Sequence, residues 1–401
     1  MQKSDAQRNV RLFGWFVILS EPLFWGPILI SYIINIGKMS LPEIYFMESI
    51  VLLGVVFLEI PSGALADLIG RKKTIILGSI LHTISIIVFS ISDSPKEIWL
   101  ANIIWMIGYS MQSGADVALL YDSLKEDGRE TEYSKIIGGN LANRLLVITF
   151  SCLIAGWMFK VNPRLPLFLS TPTVLISTFL AFYFTEPLKT EKYNIKKQFE
   201  IMKAGLKIVL KNGKILWIIF FTLLISVASK IWFFTYNPYF ELVELKIEYY
   251  GVMFSLLNIT AWYFSRNAHI FVQKNNTQKC AFIIVLLVGV PVLLMGLFVS
   301  KISLLAILFQ NVVRGFLTPF SSDLLNKQIG SSNRATVISI QSAFNGFAQF
   351  CSLSIFGYIL KIYSLGFCMQ ILGLSVLLLG FIIILQYRRI FLGNSATKKN
   401  V

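Results

Sequence analysis

The ionisable side chains of Glu21, Asp116, Arg144, Lys230 and Arg314 fall inside long apolar stretches of this 401-residue chain. A charge in the middle of a hydrocarbon layer costs at least ~2.5–3.5 kcal/mol, so each must face a partner or a wet cavity. The chemistry open to them is proton exchange at the carboxyl groups and counter-charge or anion capture at the bases. Pairing of Glu21 or Asp116 with Arg144, which would only hold helices together, is the competing role. Polar residues accompany them at helical spacing: Asn102, Tyr109, Gln112 and Asp116 on one run, Asn140 and Arg144 with Ser151 and Ala155 on another. A third set is Gln341 and Asn345 with Gln349 and Ser352, and Glu48 shares a face with Glu59. Trp25, Trp105, Trp232 and Trp262 supply the aromatic walls common in mostly apolar ligand sites.

The elements that must carry these residues follow from composition. With 55% hydrophobic and 14% charged residues, the chain is too apolar for a soluble domain. We read twelve apolar runs of roughly 20 residues each as membrane helices. They cover 12–36, 45–65, 74–91, 98–120, 136–159, 165–185, 215–238, 249–265, 280–299, 303–325, 335–360 and 366–387. Continuous runs exclude a transmembrane β-barrel, whose walls alternate. The expected fold is all-α and polytopic, with two six-helix halves at 1–187 and 215–390. A basic linker at 188–214 joins them, and 391–401 forms a tail.

The net charge of +15 does not indicate nucleic acid, because most of the 36 Lys and Arg fall in alternate loops. By the positive-inside rule this puts both termini in the cytoplasm, in a protein of the cell membrane. A first run that is long and contains Glu21 does not resemble a cleaved leader. Within the linker, Ile195, Phe199, Met202, Leu206 and Val209 share a helical face with lysines on the others, which predicts an amphipathic helix at the bilayer surface. The four cysteines lack metal-ligand spacing, and His82 and His269 stand on separate runs, so neither a metal nor a cofactor is expected. No His-x-x-x-His, Gly-x-Ser-x-Gly or phosphate-binding loop is present, which argues against an enzyme and against an ATP site.

Residues 63 to 73 read Gly-Ala-Leu-Ala-Asp-Leu-Ile-Gly-Arg-Lys-Lys, a charged glycine loop after the second run. Tight reversal there is expected to need φ > 0 and close backbone approach. The pattern at Gly63, Leu65, Asp67, Gly70, Arg71 and Lys72 resembles the signature loop of the major facilitator superfamily. A weak repeat agrees with that family's two halves: Ala118–Leu124 leading to Arg129 aligns loosely with Ser322–Gln328 leading to Arg334, with Asp122 opposite Asn326.

The resemblance implies a cytoplasmic latch. Asp67, Arg71, Asp122 and Arg129 form its expected core, with Glu59 beside Pro61 as a gate or cap. Asp67 would face the start of the eleventh run near Ser331 to Arg334. The resemblance further implies that the first, fourth, seventh and tenth runs line a central cavity, so that Glu21, Asp116, Lys230 and Arg314 would meet the solute. Two departures bear on coupling: the fourth run lacks the arginine of many proton-coupled relatives, and the fifth lacks the Gly-Pro-rich segment of many antiporters.

The function expected from these residues is secondary active transport of a small molecule by a monomer working through alternating access. Proton-coupled export of an amphipathic compound leads, with Glu21 or Asp116 accepting the proton. Uptake or facilitated transport of an anionic nutrient held by Lys230 and Arg314, or of a lipid-like solute, is the rival. A transport-inactive receptor or scaffold is the alternative from another class.

Overall fold

The computed structural model describes residues 3–187, 195–274, 276–330 and 334–392. The helices among these are α1 (Lys3–Leu19), α2 (Leu29–Asn35), α3 (Leu41–Ile69), α4 (Arg71–Ile91), α5 (Pro95–Gln112), α6 (Ala115–Glu126), α7 (Tyr133–Val161), α8 (Leu165–Phe182), α9 (Ile195–Lys211) and α10 (Gly213–Leu242). They continue as α11 (Tyr250–Lys274), α12 (Thr277–Leu297), α13 (Leu304–Gln328), α14 (Arg334–Ile359) and α15 (Leu365–Tyr387), the last followed by a π-turn at Arg388–Leu392. No strand occurs among the described residues. Among the described residues, eight stretches are long and apolar enough to cross a membrane.

Local chemistry sets the helix ends. Glu43 Oε2 accepts from the Ser40 backbone N–H at 2.8 Å, closing a capping box that starts α3. Asn212 caps α10 by accepting from the N–H groups of Lys214 and Ile215, and Asn276 does the same for α12 through Lys279.

Two runs read as single helices are broken. The first divides into α1 and α2 around Pro22 and Pro27, each of which lacks the backbone N–H that a continuing helix would use. The fourth divides into α5 and α6 at Gly114, which takes φ +83°, a left-handed conformation open to glycine. This break corrects the expectation that Asn102, Tyr109, Gln112 and Asp116 share one helical face, since Asp116 begins a new helix.

The chain forms two compact units. The first contains residues up to 195 together with 246–255, and the second contains 196–245 and 256–401. The grouping of 246–255 with the first unit differs from the expected division at 215, and close packing explains it. Gly156 of α7 faces the Ile247 carbonyl, and Gly251 of α11 faces that of Cys152, so closely that a Cβ at either would overlap backbone. Ser255 Oγ also donates to the Thr149 carbonyl at 2.7 Å, and Lys160 pairs with Glu248. Small residues that let backbones approach are a recurrent basis of helix packing in membranes.

In the first unit, Phe13, Phe16, Ile75, Leu119, Leu124 and Phe184 centre one apolar cluster. In the second, Trp217, Phe221, Ile284, Phe316, Phe320 and Val376 centre another. Helix α9 joins this core through Val209, which is fully buried with Val337 and Ile340. Its Gly205 lies against the Thr336 side chain of α14. That portion of the amphipathic face therefore meets protein, while residues 188–194 of the linker lie outside the described ones. Large side chains such as Phe57, Phe150, Phe220 and Ile355 remain exposed, as lipid-facing positions require.

Candidate functional site

In the first unit the interruption between α1 and α2 carries Glu21, and α7 carries Arg144 facing it. Arg144 donates from Nη2 to Glu21 Oε2, with both side chains about one-third exposed (33% and 29%). Asp116 lies just past the Gly114 break, where its Oδ1 accepts from the Val117 N–H at 2.6 Å. Beside these groups Trp105 stacks on Tyr109 at 4.8 Å, with His82 edge-on at 5.9 Å and Trp25 at 6.3 Å. Gln112 donates to Ser79 Oγ, and the buried Nδ2 of Asn140 lacks a hydrogen-bond partner. Glu48 is half-buried on α3. Asn102 departs from its expected place in a cavity wall: it is buried, and its amide is used by Met47 Sδ and the Ile98 carbonyl.

The second unit brings Lys230 of α10 and Arg314 of α13 onto one cavity of about 270 Å³. Ser226, Trp232, Tyr236, Gln310 and Gln349 also line it, and no carboxylate does. Arg314 Nη1 donates to Asn258 Oδ1 at 3.3 Å, while Lys230 Nζ lies 5.0 Å from the Phe234 ring centroid. Gln341 donates to Thr222 Oγ1 and Gln349 to Ser226 Oγ, so α14 presents its amides to α10. Asn345 accepts from Gln349 at 3.4 Å. Gln310 was not anticipated as a site residue. It is 6% exposed, and neither its Oε1 nor its Nε2 has a hydrogen-bond partner. A buried amide left unpaired carries a desolvation cost of about 1–3 kcal/mol, which a polar ligand would relieve. Spacing could have placed Gln310 one helical turn from Arg314, but only the tertiary fold shows its amide unpaired.

The glycine loop proves shorter than its sequence suggests. Helix α3 runs through Pro61 and Gly63 to Ile69, and α4 starts at Arg71, so the reversal is made by Gly70 alone at φ +106°. Gly63 lies within a helix with open space around it, and the expected need for left-handed backbone or close approach applies only to Gly70. Arg71 pairs with Asp122 Oδ2 and donates to the Ala118 carbonyl at 2.6 Å, linking α4 to α6. Glu186, which follows α8 and was not anticipated, accepts from the backbone N–H groups of Arg71 and Lys72. Nearby, the fully buried Asn9 donates to Ser123 Oγ and the Thr185 carbonyl.

Of the other expected gate residues, Asp67 lies close enough to Asp122 for its charge to act on that carboxyl, whereas Arg129 is engaged elsewhere. Arg129 bonds its neighbours Asp127 and Glu132 instead of Asp122, because the chain turns at Gly128 (φ +71°) just before it. Asp67 is half-buried on the last turn of α3, and Glu59 is exposed at the protein surface. Arg334 opens α14 and is exposed, whereas Ser331, Ser332 and Asn333, expected to face Asp67, lie outside the described residues.

The first unit thus holds a paired Glu–Arg and a one-residue charged reversal, and the second a cavity lined by two cations. A family model for the Major Facilitator Superfamily matches residues 12–309. The chain belongs to the Major Facilitator Superfamily. Across 370 residues it is 23% identical to the MFS-type transporter YxaM of Bacillus subtilis (strain 168), covering 88% of this chain and 89% of that one. It is 28% identical over 128 residues, 31% of its length, to the MFS-type transporter MJ1317 of Methanocaldococcus jannaschii. Among solved structures it resembles the nucleoside transporter NupG, with TM-score 0.76 at 14% identity over 96% of this chain and all of the other. It also resembles the peptide transporter POT in its E310Q form, with TM-score 0.71 at 16% identity over 97% and 99% of the two chains. These structural likenesses bear on the fold. The membership makes the chain an integral membrane transporter of this superfamily.

Proposed function

We propose that this member of the superfamily is a twelve-span, proton-coupled carrier of the cell membrane, with both termini cytoplasmic, which moves a small solute bearing an anionic group. The observation that carries this reading is the cavity of the second unit, where Arg314 and the unpaired Gln310 stand with Lys230 and no carboxylate. A carboxylate or phosphate would give the guanidinium a bidentate partner and the amide an acceptor for its N–H. Glu21 or Asp116 is the proton acceptor. When Glu21 takes a proton, Arg144 loses its counter-charge, and that charge change biases the equilibrium between the two access states. The chain acts as a transporter and not as an enzyme.

The test is solute uptake into proteoliposomes under an imposed pH gradient, with nucleosides, peptides, carboxylates and phosphate esters offered in turn. Arg314→Gln and Lys230→Gln are expected to lower anionic-solute flux by about tenfold or more, the equivalent of losing one charge-assisted bond. Unchanged flux in both variants would remove the anion reading. Export of an amphipathic compound is the second reading, supported by the ring cluster of Trp25, His82, Trp105 and Tyr109 in the first unit. Proton movement triggered by lipophilic cations and abolished in Asp116→Asn would favour it.

A further inference from the structure

A second concavity, about 800 Å³ in volume, runs along the outside of α10, α14 and α15 within the second unit. Trp217, Phe220, Leu224, Ile355, Leu379 and Ile383 are representative of its walls, which are almost wholly apolar. Its floor is held in place: Trp217 donates its Nε1–H to the Ile383 carbonyl at 2.7 Å, stacks on Phe221 at 5.4 Å and meets Tyr387 edge-on at 5.2 Å. Its flanks are open, with Phe220, Ile355 and Leu379 each half or more exposed.

One end of this slot differs sharply from the rest. It closes at Gly213 and Ile390, where the start of α10 meets the turn after α15. Lys214 follows Gly213 in the chain and Arg388 and Arg389 precede Ile390, although none of the three lines the slot itself. Lys214 Nζ lies 5.4 Å from the Phe391 ring centroid, and Arg388 Nε reaches Gln278 Oε1 at 3.4 Å. Both arginines are exposed. The sequence contains no Asp or Glu between Glu200 and Glu241, and none after Asp323, so no nearby acid in the sequence offsets these cations.

An apolar slot whose end residues adjoin three bases in the chain matches the shape and charge of an amphiphile with long tails and an anionic head. We infer that the slot binds an anionic phospholipid, with an acyl chain along α10, α14 and α15 and the phosphate at Lys214, Arg388 and Arg389. Acyl chains are the solvent that these exposed side chains meet, and basic clusters beside a membrane helix attract anionic headgroups. The slot and the cavity of Lys230 and Arg314 share Ala228 on α10, but the basic end of the slot lies at Gly213 and Ile390, and the inference does not depend on which solute is carried.

Native mass spectrometry of the purified full chain, titrated with dioleoylphosphatidylglycerol or dioleoylphosphatidylcholine, tests this. Phosphatidylglycerol is expected to be retained about tenfold or more over phosphatidylcholine, the preference that three basic contacts would give. The triple variant Lys214→Gln, Arg388→Gln, Arg389→Gln is expected to erase that preference, and the charge-keeping Arg389→Lys to preserve it. Ser375→Phe, which places a ring in the slot, is expected to lower retention of both lipids. Each variant is compared at an elution volume and melting midpoint matching the unmodified protein. Equal retention of the two lipids would overturn the inference, as would a preference that survives the triple variant. Competition by glycerol phosphate as strong as that by phosphatidylglycerol would overturn the role of the slot.

Discussion

The Glu186 carboxylate accepts the Arg71 backbone N–H at 2.7 Å, so a residue after α8 caps the helix that begins immediately after the one-residue turn. Its second oxygen takes the Lys72 N–H at 2.8 Å, and two otherwise orphaned donors of α4 are satisfied by one negative group at the positive end of the helix dipole.

Removing that cap is expected to loosen the loop. Glu186→Ala should cost about 1–2 kcal/mol of stability, as loss of a capping side chain does. Glu186→Gln should cost less, since its amide oxygen can still accept. Melting midpoints in detergent rank the two variants, and an unchanged midpoint for Glu186→Ala would remove the capping role.

The Arg71–Asp122 pair sets a pH slope. Burial pushes the Asp122 carboxyl up, with the Arg71 guanidinium pulling it back. A folded-state pKa above the unfolded one means that the folded protein binds more protons through that window. This contribution to stability is complete below the unfolded value and is lost as pH rises through the folded one. Asp122→Asn should therefore flatten the fall in melting midpoint as pH rises above the ordinary aspartate value of about 4. A double-mutant cycle with Arg71→Ala should give a coupling of about 0.5–3 kcal/mol for groups in contact.

The Lys160–Glu248 pair runs the opposite way. Its hydrogen bond from Lys160 holds the Glu248 carboxyl below the usual glutamate range. A depressed folded-state value contributes stability above the unfolded pKa, and that stability is lost as pH falls through the folded one. Lys160→Gln should make the melting midpoint less sensitive to acid below about pH 4.5, near the reference glutamate value. An identical acid limb in the variant would show that the pair contributes nothing in solution.

Gly251 admits no side chain without movement of α7. Gly251→Ala would drive a methyl into the Cys152 carbonyl and should cost about 1–3 kcal/mol, the usual penalty of overpacking. Gly63→Ala, with open space around it, is the matched control and should leave the midpoint unchanged or higher. Equal melting midpoints for the two variants would contradict the close crossing of α7 and α11.

Much of this protein was legible before any coordinates. Long apolar runs have few outcomes in a bilayer because every backbone polar group must be satisfied within its own segment, so helix content and class follow from composition. The charged glycine loop named the superfamily, and the rarity of charges inside apolar runs picked out Glu21, Arg144, Lys230 and Arg314. Side-chain partners were not legible, because a pairing such as Arg144 with Glu21 spans more than a hundred positions and depends on how α7 lies against the α1–α2 break. The breaks themselves were half visible: Pro22, Pro27 and Gly114 are helix-ending residues, yet Pro61 sits inside α3 without ending it, and packing decides between those outcomes. Only the tertiary structure assigned Asn102 to the interior, brought Glu186 to the start of α4 and left Gln310 unpaired beside Arg314. Hydropathy measures how strongly a residue avoids water, whereas satisfaction of a buried polar group depends on which atoms lie within about 3 Å of it, and those come from distant parts of the chain.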